Sequence, residues 1–357
     1  MISGGPQNPL RNFARNLLIW NRDQNRRDMP WKGEKDPYKI WLSEIILQQT
    51  RVEQGLAYFE RFVAAFPDIR KLASAPEEKV FKLWEGLGYY SRCRNLIFTA
   101  RYIARELKGE FPADYEGIKK LKGVGPYTAA AIASFAYNLP HAVVDGNVFR
   151  VLARIAGIQK KTDTTEGKKY FTALAEQLLD KNKAGIYNQA IMDFGAVVCK
   201  PALPLCNTCI FSKTCVAFQQ NRVNELPLKK KKISIRKRWF NYVILQLDNK
   251  IAIHQRTNKD IWRGLYEFYP VETEKEADVK EIIQQLQEEK IIGRKGFEVL
   301  SVSSLYKQQL THQTISGKFY KINISKMPVG NDFIWVSKKQ ISKYAFPGLI
   351  NQFLEEI

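Results

Sequence analysis

No apolar run in this 357-residue chain reaches the roughly 18 residues a membrane-spanning helix needs. The first twenty residues, MISGGPQNPLRNFARNLLIW, break their apolar stretches with Arg11, Arg15 and Asn16, so they do not read as a secretory signal. A cytoplasmic protein without membrane contact is expected. Acidic residues are too few to balance the basic ones: 36 Asp and Glu stand against 56 Lys and Arg, leaving a net charge of +20 and a pI near 9.6. Such an excess points to a polyanionic partner, nucleic acid first, although basicity alone does not specify one. There is no internal repeat. With 45% apolar and 26% charged residues, wholesale disorder is excluded, and the length suits two or three domains. Cysteine is scarce and uneven: of five, Cys93 stands alone, while Cys199, Cys206, Cys209 and Cys215 fall within 17 residues. In a reducing compartment such a cluster reads as a metal or redox site rather than disulfides.

Residues 1 to about 220 read as helix. Apolar residues recur at helical spacing in 38–50, 53–66, 92–107, 127–137, 147–156 and 168–180, punctuated by Gly and Pro. The segment 222–238 holds eight basic residues against Glu225 alone and reads as a solvated linker, one that could also lie along DNA. Beyond it, 239–247 and 250–256 are β-rich runs separated by Asp248-Asn249, a hairpin signal. A charged helix over 275–290, further β-rich runs at 297–303, 318–325 and 333–336, and a closing helix at 347–356 make the second domain mixed α and β. The expected division is 1–221, a linker at 222–238, and 239–357.

Four motifs carry chemistry. The run Leu121-Lys122-Gly123-Val124-Gly125-Pro126-Tyr127 permits a tight turn with Pro126 near the first helical position, so its amides could hold a phosphate. A plain helix start would look the same. Asp145, in Val143-Val144-Asp145-Gly146-Asn147-Val148, reads as a helix N-cap, and capping leaves one carboxylate oxygen free for a pocket. Glu44 shares a helix face with Ile40, Trp41, Leu47 and Gln48, where desolvation would raise its pKa and suit it to general-acid work. A Glu reaching round to Arg51 is the bland alternative. The cysteine spacing, C-x6-C-x2-C-x5-C, is the strongest single signal. Four thiolates could hold zinc or an iron–sulfur cluster, and spacing alone does not separate the two.

Together and in this order, the motifs resemble those of the helix-hairpin-helix DNA glycosylases of the endonuclease III type, and within them the adenine DNA glycosylase family. Deciding residues are Met29-Pro30-Trp31, Ser43-Glu44 with Gln48-Gln49-Thr50, Gly86 to Arg92, Val144 to Val148, and Cys199 to Cys215. The implied architecture is multidomain: an all-α helix-hairpin-helix glycosylase domain with an iron–sulfur cluster module, then an α+β Nudix-like domain. Where the lyases of the superfamily carry a nucleophilic lysine, this chain has Tyr127, and a phenol forms no Schiff base. The resemblance therefore implies a monofunctional glycosylase, acting as a monomer on duplex DNA with A:8-oxoguanine or A:G mispairs in base excision repair.

By the same resemblance Glu44 protonates adenine, Asp145 stabilises the oxocarbenium ion, and Tyr127 and Asn147 complete the catalytic pocket. Arg27, Trp31 and Leu47 line the flipped adenine. Gln49, Thr50, Leu87 and Tyr89 wedge into the stack or meet the opposite base, Gly123 and Gly125 hold backbone phosphate, and Cys199, Cys206, Cys209 and Cys215 bind a 4Fe-4S cluster. The family's Nudix-like domain reads the oxidised guanine, often through a Phe-Ser-His loop; anchoring on Leu310-Thr311 puts Lys307, Gln308 and Gln309 in that loop. The helix segment Gln284-Gln285-Leu286-Gln287-Glu288-Glu289 lacks the Arg-Glu pair of a working Nudix site, so no pyrophosphatase activity is expected. A lyase acting on oxidised pyrimidines and an inactive cluster-bearing DNA-binding protein are the alternatives.

Overall fold

The computed structural model describes residues 9–230, 235–328 and 332–356. Chain contacts divide it into two compact units, 1–74 with 95–231 and 75–94 with 232–357. Among the described residues no helix is long and apolar enough to cross a membrane.

The first unit is helical. The six expected segments appear as Pro37–Leu47, Val52–Ala65, Tyr90–Glu106 (its residues from Asn95 on in this unit), Pro126–Tyr137, Gly146–Ile155 and Thr165–Leu178. Phe13–Asp23 and Ala184–Val197, absent from the sequence-based reading, complete its core: Leu17, Trp20, Ala190, Ile191 and Phe194 pack with Val148, Val151 and Leu152 of Gly146–Ile155. Pro37–Leu47 is capped by Asp36, whose carboxylate accepts from the Tyr38 amide at 2.9 Å, and residues 40–46 are all buried. A helix buried on every side is a central one. The linker is less solvated than its composition suggests. Leu226 is buried, the Leu228 carbonyl accepts from the Thr162 amide at 3.0 Å, and the Lys230 amide donates to Asp163. The stretch 231–234 lies outside the described residues.

Among the described residues the second unit is built on nine strands: β1 (Arg236–Leu247), β2 (Lys250–Gln255), β3 (Tyr266–Glu267), β4 (Tyr269–Thr273), β5 (Phe297–Val302), β6 (Tyr306–Gln309), β7 (Gln313–Gly317), β8 (Phe319–Ile324) and β9 (Ile334–Ser337). β1 runs antiparallel to β2 and β4 and parallel to β7 and β8, so the sheet is mixed. The expected β1–β2 hairpin turns through Asp248-Asn249, with Asp248 at φ 52. One face packs on the helix Val279–Glu288 through Ile282 and Leu286. Residues 75–94 belong to this unit. Phe81 seats against Gly264, where an added Cβ would lie 2.8 Å from its ring. Glu85 accepts from the Phe346 amide at 2.7 Å, and Lys82 bonds both Glu85 and the Tyr344 carbonyl.

Candidate active site

Glu44 is 7% exposed, so the rim position beside Arg51 is not where it sits. Burial is the main force on its carboxyl, nearby Asp145 adds repulsion, and a hydrogen bond with Tyr127 opposes both; the pKa rises to about 7. Tyr127, second residue of Pro126–Tyr137, has its own pKa pushed well up by burial and by the charges of Glu44 and Asp145. The same two helices are tied by Gln48, whose Nε2 donates to Thr128 Oγ1 at 3.2 Å.

Asp145 caps Gly146–Ile155, its Oδ1 accepting from the Val148 amide at 2.8 Å. The other oxygen is not left free as expected: Oδ2 accepts from Asn147 Nδ2 at 2.7 Å. Burial raises this pKa too, against those hydrogen bonds and the charge of Arg150. Arg150 extends the contact inward, its Nη2 donating to Asn147 Oδ1 and to the Gly195 carbonyl, each at 2.7 Å, and its Nε to the Cys199 carbonyl at 2.7 Å. Gly195 allows this close approach, because an added Cβ would lie 2.6 Å from that of Asn147. Arg150, Gly195 and Thr128 were not singled out from the sequence. Arg150 did leave a signal, as a cation among Val148, Val151 and Leu152.

All four clustered cysteines line one cavity with Arg154. Arg154 donates to the carbonyls of Lys200, Pro201 and Leu226 and approaches Cys199 Sγ at 3.6 Å. Burial first, and the neighbouring thiols second, push Cys206 up; burial dominates at Cys209, raised to about 12, and at Cys215. Among the described residues no three His, Cys, Asp or Glu side chains are placed to share one metal ion.

In the glycine hairpin, Gly123 takes φ +83 and Gly125 caps Pro126–Tyr137 with open space where a Cβ would stand. Arg27 pairs with Asp193 at 2.8 Å, Trp31 packs edge-on to Phe59, and Leu47 is half-buried. Gln49 and Tyr89 are exposed and both adopt positive φ, 61 and 47, a conformation that strains side chains of their size and collects at functional sites. Thr50 is half-buried beside Gln49, whereas Leu87 is buried in the second unit. The expected loop at Lys307-Gln308-Gln309 is instead strand β6, paired with β7 from Tyr306 to Gln309. Gln308 turns inward to accept from the Leu349 amide at 2.8 Å. The turn between the strands is Leu310-Thr311-His312, and the Thr311 hydroxyl bonds that of Tyr89.

The chain is 33% identical over 349 residues, 97% of its length and 96% of the relative's, to an adenine DNA glycosylase of Buchnera aphidicola subsp. Baizongia pistaciae. It belongs to the adenine DNA glycosylase family. The family member of Rattus norvegicus is 43% identical over 227 residues, 60% of this chain and 44% of that one. Residues 42–180 match the model of the HhH-GPD superfamily base excision DNA repair protein, and 241–356 match a NUDIX domain. Among solved structures, a thermostable thymine-DNA glycosylase superposes with a TM-score of 0.54 at 28% identity, covering 59% of this chain and 97% of that one. The expected architecture, helical glycosylase region followed by an α+β Nudix-like domain, is thus borne out. In this member of the adenine DNA glycosylase family the Nudix-like helix directs its remaining carboxylates at neighbours. Glu288 accepts from Gln284 and Glu289 from Gln285, each at 2.8 Å, and Glu289 also from Tyr269.

Proposed function

We propose that this protein removes adenine from A:8-oxoguanine and A:G mispairs in duplex DNA, a hydrolysis of the N-glycosidic bond in base excision repair. The observation that carries the reading is Glu44: a buried carboxyl with a pKa of about 7, beside Tyr127 and the second carboxyl of Asp145. Adenine leaves poorly as an anion. Glu44, protonated near neutrality, gives its proton to a ring nitrogen, and the base departs neutral. The sugar left behind carries oxocarbenium charge, which the Asp145 carboxylate balances until water adds at C1′. Asn147 holds that carboxylate in place, and Tyr127 holds Glu44. The base must first leave the duplex; Arg27, Trp31 and Leu47 form its pocket, and beside them the strained, exposed Gln49, with Thr50, would fill the gap. In the second unit the exposed Tyr89, next to Leu87, is read as a contact to the opposite base. Backbone phosphate lies on the amides of Gly123 and Gly125.

For the four cysteines we take the family's 4Fe-4S cluster as the group they would hold: they line one cavity, and thiols buried together there would ionise only around a strong cation. Bound there, such a cluster would cross-link the segments that carry Cys199, Cys206, Cys209 and Cys215. For the opposite base we place recognition at Leu310-Thr311-His312, whose apolar, hydroxyl and histidine order matches the family's Phe-Ser-His, rather than at Lys307-Gln308-Gln309.

The test is a labelled A:8-oxoguanine duplex incubated with the protein across pH 5 to 9. Strand cleavage should appear only after alkali, with a single-turnover rate that falls as pH rises through about 7 and Glu44 loses its proton. Cleavage without alkali would establish a lyase instead, and no cleavage in either arm a binding protein.

A further inference from the structure

Between the helices Phe13–Asp23 and Pro37–Leu47 the chain runs through residues 24–36 without regular structure, yet this segment carries Arg27 and Trp31. Something must fix their positions. Asp193, the only charged residue of Ala184–Val197, has a fully buried side chain on which four donors converge. Arg27 Nη1 meets its Oδ1 at 2.8 Å and Gln189 Nε2 the same oxygen at 3.0 Å; Asn25 Nδ2 meets Oδ2 at 2.9 Å and Lys32 Nζ at 3.2 Å. Three of the four come from the irregular segment. Lys32 also donates to the Arg27 carbonyl at 2.6 Å, and the Arg27 amide to Asn25 Oδ1 at 3.0 Å, so the segment closes on itself around the carboxylate. Two cations share this one anion, and without it they would repel each other and leave a buried site that no longer favours either.

We propose that Asp193 is the positioning residue of the base pocket, the carboxylate that holds Arg27 in place and with it the segment carrying Trp31. This rests on the reading of Arg27 and Trp31 as pocket residues. Removing the carboxylate moves the pocket wall rather than the duplex-binding surface, so the loss falls on the excision step. A displacement of about 1 Å in a positioning group is enough to cost about 100-fold in rate.

The experiment compares Asp193→Asn, Asp193→Glu, Arg27→Met and the Arg27→Met/Asp193→Asn double variant in the full chain. Single-turnover excision and duplex affinity are measured separately on an A:8-oxoguanine substrate. Expected are a rate loss of about 10- to 100-fold for Asp193→Asn with affinity nearly unchanged, a smaller loss for Asp193→Glu, and a double variant no slower than the worse single one. Parental rates in Asp193→Asn, or losses that multiply in the double variant, would overturn the proposal. If Arg27→Met alone excises at the parental rate, the pocket reading fails first, and the positioning role falls with it. Should Asp193→Asn not fold, Asp193→Glu decides: an unimpaired rate counts against the proposal, a partial loss for it.

Discussion

A carboxyl whose pKa is raised by burial holds its proton more tightly in the folded protein than in the unfolded chain. For Glu44, moved from 4.5 to about 7, the stability this brings is fully present below the unfolded value and is lost as pH rises through about 7. The ionised form then costs the fold about 3 kcal/mol at alkaline pH. Glu44→Gln keeps a neutral group at every pH. It should abolish excision while retaining DNA binding, and its stability relative to the parent should grow from near zero at pH 4.5 to about 3 kcal/mol at pH 9. Urea unfolding at the two pH values reads this; a gap that does not change with pH would mean that the Glu44 pKa is not raised in the folded protein. The periodicity of Pro37–Leu47 made Glu44 visible in the sequence. What it could not show is how completely the helix is covered, because the buried residues on its other faces are contributed by packing partners far along the chain.

At the scale of elements, one helix connects Asp145 to the cysteine array. Gly146–Ile155 presents Asn147, Arg150 and Arg154 at spacings of three and four residues, hence along one face. The first holds Asp145, the second joins Asn147 to the Cys199 carbonyl, and the third approaches Cys199 Sγ. Arg150→Met removes the middle link without touching a cysteine. Its expected outcome is an excision rate lower by about 10-fold or more, in protein that still carries the iron and inorganic sulfide of the parent. Zinc in place of iron would displace the cluster reading while leaving the catalytic one intact, and a parental rate would mean the hydrogen-bond chain does not matter for Asp145. The Asp145 cap and the gathering of the four cysteines were legible because caps and close sequence spacings are local patterns. Arg150 and Asp193 were not, since their meaning lies in partners 45 or more residues distant, although a single charge in an otherwise uncharged helix such as Ala184–Val197 is a signal worth reading.

At the scale of the whole molecule, sequence order and compactness disagree in one place. Residues 75–94 precede the glycine hairpin in the chain but pack with the C-terminal sheet, where Lys82 and Glu85 bond the segment 344–346 and Tyr89 meets Thr311. β6 and β7 span four and five residues, too few for alternation to mark them as strands, so a loop was expected at Lys307-Gln308-Gln309 where the structure has β6. The pairing now gives a sharper expectation. If the Leu310-Thr311-His312 turn reads the opposite base together with Tyr89, then Thr311→Val, which preserves shape but deletes the hydroxyl, should lower the ratio of excision on A:8-oxoguanine to that on A:G. A lost hydrogen bond of about 1 kcal/mol corresponds to a factor of about 5. Tyr89→Phe deletes the partner hydroxyl and should lower the ratio similarly, with the double variant no worse than either. Lys307→Met, on the exposed face of β6, should leave it unchanged. A ratio that responds to Lys307→Met and not to Thr311→Val would return lesion reading to β6, and one that responds to neither would remove this hairpin from the recognition of the opposite base.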